Sequence, residues 1–69
     1  MQRDYVSSSS IVSVGYDPAT ETLEIEFNSG AVYQYYNVSQ SIYEELMGAP
    51  SKGKFLAYQI KNFFPYSRV

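Results

Sequence analysis

The sequence predicts one α+β domain, with a three-stranded antiparallel β-meander followed by two helices packed on one face of the sheet. Apolar and polar residues alternate in three runs between positions 11 and 36, which is the period of β-strands. The apolar spacing then becomes helical up to position 64. The 69 residues suffice for one domain. Folding of so short a chain buries only about 60% of the surface that the unfolded chain exposes.

The three predicted strands are separated by short turns. The first begins at Ile11 and ends at Asp17-Pro18, because Asp favours the first position of a turn and Pro presets φ at the second. Leu23–Phe27 alternates strictly, which predicts a core face and two glutamates in water. Gly30 can adopt the positive φ of a hairpin loop, and the third strand runs from Ala31 to Tyr36. The predicted core face of the first two strands consists of Val12, Val14, Tyr16, Leu23, Ile25 and Phe27.

The first predicted helix carries Ile42 and Leu46 at helical spacing. Two N-caps compete, Asn37 and Ser41, since each precedes the Gln or Glu of a capping box. Gly48–Pro50 ends the helix, because Gly closes its last turn and Pro cannot continue it.

A second predicted helix follows directly, with Ser51 as its N-cap. It runs from about Lys52 to Phe63, and Pro65 stops it. Residues 1–9 are a polar lead-in with little to bury, and residues 65–69 are left as a tail. The apolar stripe of the second helix consists of Leu56, Ile60, Phe63 and Phe64.

The chain contains no Cys and no His. Disulfides and a zinc site are therefore excluded, and the commonest general base and the strongest nucleophile are missing. Glu24 and Glu26 share one strand face, but alternating glutamates on an exposed strand are usually a solubilising pattern rather than an acid–base pair. We expect no catalysis, no metal and no cofactor, and therefore a binding function.

The sequence predicts a cytoplasmic location and is compatible with a homodimer. The N-terminus lacks the basic and then apolar pattern of a signal peptide, and cysteine is absent. No apolar run approaches the roughly 18 residues of a membrane span. Because small domains often gain stability from a partner subunit, a homodimer is a reasonable expectation.

Charge is unevenly distributed along the chain. Residues 1–51 hold seven acids and one base, a sum of −6, whereas residues 52–69 hold four bases and no acid, a sum of +4. Together these give the net charge of −2. Nucleic-acid-binding domains are commonly basic overall, and this one is not. The basic and aromatic last quarter is nevertheless the unusual feature of the composition.

The start of the second helix is the best candidate anion site in the sequence. At Ser51-Lys52-Gly53-Lys54, backbone N–H groups, the positive end of the helix dipole and two lysines converge. Lys61, Tyr66 and Arg68 near the C-terminus could extend this patch. The alternative, which we favour because it is commoner, is a capped helix with two solvated lysines.

Tyr33 and Tyr35 form an aromatic pair on one face of the third strand. If the pair faces solvent, it is a platform for base stacking. If it faces the helices, it belongs to the core, which we favour because most aromatic residues of a small domain must be buried. Should Tyr35 or Tyr58 lie beside the basic residues, stacking and phosphate contact would be combined in one place.

An ordered series of landmarks resembles the KTSC domain, a short bacterial module named for its occurrence at the C-terminus of some lysyl-tRNA synthetases and also found alone. The resemblance spans roughly residues 8–66, and its central mark is a Tyr-x-Tyr pair. Where the family usually has Pro, this chain has Ser39, which affects helix capping more than identity. The resemblance implies an α+β fold, and its synthetase context implies RNA binding. The landmarks are Ser9-Ser10-Ile11, Val14-Gly15-Tyr16-Asp17, Leu23-x-Ile25-x-Phe27, Gly30, Tyr33-Gln34-Tyr35, Val38, Ala49-x-Ser51-x-Gly53, Phe55 and Ile60.

These observations predict a small non-catalytic module that recognises RNA or a nucleotide. The alternative is a protein-binding or self-associating module whose exposed tyrosines form the interface, since Tyr is enriched in protein interfaces. For the first hypothesis, the phosphate contacts are Lys52, Lys54, Lys61 and Arg68, the helix start adds Ser51 and Gly53, and the stacking residues are Tyr33, Tyr35 and Tyr58.

Overall fold

The sheet has one apolar face, and a pair of helices covers it, as a two-layer domain requires. The computed structural model describes all 69 residues. Five antiparallel strands form a single sheet in the order β1-β2-β3-β4-β5. The strands are β1 (Asp4–Tyr5), β2 (Ile11–Asp17), β3 (Thr22–Phe27), β4 (Val32–Tyr35) and β5 (Tyr66–Arg68), and the helices are α1 (Gln40–Gly48) and α2 (Lys52–Phe55), which continues as a π-helical segment (Leu56–Ile60).

The predicted meander is present as β2, β3 and β4, but the prediction of only three strands was wrong. The supposed lead-in contains β1, which pairs with β2, and the supposed tail contains β5, which pairs with β4. These strands have two and three residues, too few for a recognisable alternation. They form because the outer backbone groups of β2 and β4 need partners, which no local pattern in the short segments reveals.

A β-bulge in β2 changes which side chains reach the core. Ile11 lies opposite Phe27 and Ser13 lies opposite Glu26, so Val12 is an extra residue between two paired positions. Ile11 is therefore buried and Val12 only half-buried. The prediction of Val12 on the core face was wrong for this reason.

The core lies between the helices and the central strands. Ile25, in the middle of β3, has no exposed surface and lies opposite Val14 on one side and Tyr33 on the other. Phe27 is on the predicted face, but it is half-buried at the rim. The buried apolar residues are Ile11, Val14, Leu23, Ile25, Tyr35, Val38, Leu46, Leu56 and Ile60.

Helix α1 is capped by a serine hydroxyl and packs against the sheet through a pair of tyrosines. The Ser39 hydroxyl accepts a hydrogen bond from the Ile42 backbone N–H at 3.3 Å, so the N-cap is neither Asn37 nor Ser41, the two predicted alternatives. The ring of Tyr43 stacks on Tyr16 with centroids 4.7 Å apart. The stacked pair joins α1 to β2.

The second helix starts as predicted and ends earlier. The Ser51 hydroxyl accepts from the Lys54 backbone N–H at 3.3 Å, which confirms Ser51 as the N-cap. The helix ends at Ile60 rather than Phe63, and Phe63 is 70% exposed instead of belonging to the apolar stripe. Both helices are too short to cross a bilayer.

The second face of the sheet is polar, and the N-terminal residues pack across it. The Arg3 guanidinium donates to the Ser13 hydroxyl at 3.0 Å and to the Glu24 carboxylate at 2.5 Å, while Gln34 donates to the other Glu24 oxygen at 2.8 Å. Glu24 is consequently only 7% exposed, so the prediction that both glutamates lie in water was wrong for Glu24. Gly15 allows this packing, because a Cβ there would lie 2.7 Å from the backbone oxygen of Gln2.

Glu24 is expected to make stability depend on pH. Burial alone would raise its pKa, but hydrogen bonds from Gln34 and Arg3, together with the Arg3 charge, outweigh burial and hold the pKa below its ordinary value of 4.5. A depressed folded-state pKa contributes stability that is complete above the unfolded pKa and is lost as pH falls through the folded pKa. We therefore expect Glu24→Gln to lower the melting temperature at pH 7 and the difference from wild type to shrink below pH 4.5.

Thermal unfolding followed by circular dichroism between pH 7 and pH 3 measures this difference. Glu45→Gln is the matched control, because Glu45 is exposed on α1 and forms no ion pair. If Glu24→Gln and wild type lose stability in parallel over the acid range, the Glu24 carboxylate is not responsible for the predicted dependence of stability on pH.

Candidate functional site

The helix-facing side of β4 and β5 carries four side chains that lie next to one another. Tyr33 is directly opposite Arg68, and Tyr35 is directly opposite Tyr66. Directly opposite residues of antiparallel strands project to the same face, and this is the face that holds Ile25 in β3. The pairing of β5 therefore adds one ring and one cation to the aromatic pair of β4.

The rings of this region form a continuous cluster. Tyr66 lies 5.8 Å from Tyr33 and 5.8 Å from Tyr35 between ring centroids, with interplanar angles of 41° and 39°. Phe27 meets Tyr33 edge-on at 5.8 Å. These separations are those of favourable aromatic pairs. Tyr35 is only 3% exposed, Tyr33 is half-buried and Tyr66 is 58% exposed. The cluster therefore extends from the core to the surface.

An open cleft of about 540 Å³ lies between this cluster and the second helix. We call it the aromatic cleft. Its volume falls in the range of roughly 300–1,000 Å³ that small-molecule sites occupy. Two cations and no acid line it, so its electrostatic preference is for an anion. The residues of the aromatic cleft are Phe27, Ser29, Ala31, Tyr33, Tyr35, Gly53, Leu56, Ala57, Lys61, Tyr66 and Arg68.

The π-helical segment brings Lys61 to the wall of the aromatic cleft. In a regular α-helix, Lys61 would be rotated about 80° from Gly53, eight residues earlier. The Lys61 backbone N–H instead donates to the Leu56 carbonyl at 2.8 Å. This i→i+5 bond inserts one extra residue into the turn and reduces the rotation. Gly53, Ala57 and Lys61 can therefore all face the cleft.

Burial raises the pKa of the Tyr35 hydroxyl above 10.0, with smaller contributions from the neighbouring Tyr33 and Tyr66. The Tyr35 side chain is therefore neutral at physiological pH and keeps its hydroxyl proton. A neutral hydroxyl can donate a hydrogen bond to an acceptor in the cleft and adds no repulsion toward an anion. The site is thus equipped for recognition by aromatic contact, hydrogen bonding and positive charge.

Comparison with known proteins shows the family of this chain. The family model described as the KTSC domain matches residues 7–64. The chain belongs to the KTSC domain family. A crystal structure of a KTSC domain protein from Yersinia pestis superposes with a TM-score of 0.96 and 43% sequence identity, and the match covers 99% of this chain and 96% of that one.

Curated relatives of this KTSC domain occur in proteins of two sizes. A protein of Tsukamurella paurometabola is 41% identical over 59 residues, which cover 86% of this chain and 88% of the relative. A lysine–tRNA ligase of Nostoc sp. is 44% identical over 54 residues, and one of Nostoc punctiforme is 43% identical over 59 residues. Those matches cover 78% and 86% of this chain but only 10% of each ligase. The KTSC domain thus spans about a tenth of the length of the ligases it matches.

The structure brings five of the predicted site residues of this KTSC domain together in the aromatic cleft. Three others lie in a second, shallower cleft beside Pro50 and Phe55, and Lys52 lines neither cleft. The predicted convergence of all four basic residues with the tyrosines therefore does not occur, because the helix directs them to different sides. The five are Tyr33, Tyr35, Gly53, Lys61 and Arg68, and the three are Ser51, Lys54 and Tyr58.

Packing against the serine segment explains the glycine at position 53 of the KTSC domain, and the sequence did not reveal this contact. A Cβ at this position would collide with the hydroxyl of Ser10. The backbone N–H of Asn28 donates a hydrogen bond to the Ser10 carbonyl at 3.0 Å. This bond fixes the serine segment where it contacts the start of α2. The close approach that Gly53 permits is therefore made by this chain's own serine, and the predicted anion site at the helix start is partly covered.

Several residues of the aromatic cleft were missing from the predicted site. Tyr66, which the sequence suggested only as an extension of the basic patch, is the most important, because it is the most exposed ring of the cluster. Its two-residue spacing from Arg68 would have been a signal, had the last residues been interpreted as a strand. No group of three or more carboxylates lies close enough together to hold a metal ion. The other residues that were missed are Phe27, Ser29, Ala31, Leu56 and Ala57.

Proposed function

We propose that this KTSC domain is a non-catalytic module that binds RNA or a nucleotide in the aromatic cleft. The observation that supports the proposal most strongly is the combination of ring surface and positive charge in one cleft, with no acid among the lining residues. Proteins that bind single-stranded nucleic acid combine these same two elements, rings for the bases and cations for the backbone.

Base stacking is assigned to Tyr66 and Tyr33. Tyr66 offers more than half of its surface to solvent, and Tyr33 is half-buried beside it. Tyr35 lies beneath them in the core and supports their position. A base that stacks on the exposed ring would gain about 1–3 kcal/mol.

Phosphate contact is assigned to Lys61 and Arg68. They approach the aromatic cleft from different elements, Lys61 from the end of the helix and Arg68 from the edge strand β5. Neither forms an ion pair with a carboxylate of the chain. Arg can bind a phosphate through two parallel hydrogen bonds, whereas Lys acts as a point charge. The occurrence of similar segments in proteins named lysine–tRNA ligase also supports an RNA-related ligand.

Lys61→Ala is expected to weaken RNA binding, whereas Lys54→Ala leaves it unchanged. Both lysines are exposed, Lys54 on the second helix and Lys61 directly after it, but only Lys61 lines the aromatic cleft. Fluorescence polarisation with a mixed RNA pool at about 50 and 200 mM salt measures the affinity and its salt dependence. Loss of one phosphate contact should reduce the slope of log K against log salt by about 0.7. Absence of binding by wild type at low salt, or equal effects of the two variants, would contradict the proposal.

A protein-binding or self-associating module is the second candidate. It is favoured by Tyr58 and Phe63, which are large, 70% exposed and outside the aromatic cleft. Light scattering of the isolated protein distinguishes this candidate from the first. A stable dimer whose affinity falls on Tyr58→Ser or Phe63→Ser would favour it, and a monomer at all concentrations would count against self-association.

A further inference from the structure

The positive charges of the chain are distributed so that few can serve one ligand. Arg3 lies on the opposite face of the sheet and is paired with Glu24 and Glu26. Lys54 lies in the second cleft, and Lys52 lines neither cleft. Only Lys61 and Arg68 remain at the aromatic cleft, so it can neutralise about two phosphates.

The stacking surface of the aromatic cleft is similarly limited. Tyr66 is its only ring that is exposed by more than half, since Tyr33 and Phe27 are half-buried and Tyr35 belongs to the core. Proteins that track a nucleic-acid strand present successive rings along a basic groove. The cleft has one accessible ring beside two cations, and its volume of about 540 Å³ is that of a single small-molecule site.

A strand that continued beyond the aromatic cleft would meet an unfavourable surface. The chain has seven acids and only five bases. Three of those bases are assigned above to other parts of the molecule. Without Lys61 and Arg68, three bases and seven acids remain, a sum of −4, so the rest of the molecule does not favour additional phosphates on average.

We infer that the aromatic cleft recognises one nucleotide unit, a base with the one or two phosphates adjacent to it, rather than a run of nucleotides. This inference rests on the proposed function and makes it more specific. The base stacks on Tyr66, and the adjacent phosphates contact Lys61 and Arg68. A free nucleotide and the phosphorylated end of an RNA share this chemistry, and a series of ligands of increasing length distinguishes them.

The test compares adenosine, adenosine 5′-monophosphate, a 5′-phosphorylated diadenylate and a 5′-phosphorylated decaadenylate, each titrated into the intact protein by isothermal titration calorimetry. We expect the diadenylate and the decaadenylate, which both carry two phosphates next to one base, to bind within about threefold of each other once the number of equivalent positions is considered, and adenosine, which has no phosphate, to bind more weakly. With two phosphate contacts, the salt slope of the decamer should be about −1.4. Equal affinity of the mononucleotide and the decamer would identify a free nucleotide as sufficient, whereas a dinucleotide requirement would identify an RNA end.

Matched variants localise the binding. Arg68→Ala should halve the salt slope to about −0.7, whereas Lys52→Ala, outside both clefts, should leave it unchanged. An affinity that rises more than tenfold from the dinucleotide to the decamer, with a slope steeper than about −3, would overturn the single-unit inference and leave the proposed function intact. Absence of binding by all four probes and by the mixed RNA pool would overturn both.

Discussion

Ile25→Ala is expected to lower the free energy of unfolding by about 2–5 kcal/mol, because the substitution leaves a cavity in the centre of the core. Ile25 is fully buried in the middle strand and lies between Val14 and Tyr33. A domain of 69 residues has a total stability of roughly 3–10 kcal/mol at typical values per residue. The substitution should therefore remove a large part of the stability of the domain.

Urea unfolding followed by circular dichroism measures this effect, with two controls. Ile25→Val removes one methylene and should cost only about 0.5–1.5 kcal/mol. Val69→Ala, at the exposed C-terminus, should change stability by less than about 0.5 kcal/mol. A cost of Ile25→Ala no larger than that of Val69→Ala would mean that β3 does not present Ile25 to the core.

Tyr66→Ala is expected to reduce the affinity for a nucleotide or RNA by roughly 5- to 150-fold, the equivalent of about 1–3 kcal/mol of lost base stacking. Tyr66 is 58% exposed and carries the accessible ring of the aromatic cleft. Tyr58→Ala is a matched control, because Tyr58 is even more exposed but lies in the second cleft. Polarisation titrations of both variants measure the difference.

Tyr66→Phe separates the contribution of the ring from that of the hydroxyl. The strand pairs with β4 through its backbone, and phenylalanine keeps both the ring and the strand preference. Tyr66→Phe should therefore bind within a few-fold of wild type. Equal binding by Tyr66→Ala and Tyr58→Ala would remove the aromatic cleft as the binding site.

The helix-facing side of β3 was predictable because its information is local. Leu23 and Ile25 alternate with polar residues, and the two-residue period of a strand assigns them to one face. The cap at Ser51 was predictable for the same reason, since a serine hydroxyl satisfies N–H groups only a few residues away. The position of Tyr35 in the core followed from burial, the alternative that we favoured for the tyrosine pair.

The candidate site was predictable only in part, because its residues come from segments that are distant in sequence. The basic residues of the last quarter appeared as one patch in the sequence. The structure separates Lys54 from Lys61, and the π-helical turn brings the latter to the wall of the cleft. Tyr66 and Arg68 reach the site only through the pairing of β5 with β4. The periodicity of a regular α-helix predicts neither the π-helical turn nor the pairing of β5 with β4.

The sequence by itself determined the meander, the core face of its middle strand, the order of two helices after it and the absence of histidine and cysteine chemistry. Each of these depends on residue identity or on spacing within a few positions. Only the tertiary structure decided that Arg3 buries Glu24 and that β5 completes the aromatic cleft. Strands of two or three residues are stabilised by the backbone groups of a remote edge, so their own side chains hold too little information to predict them.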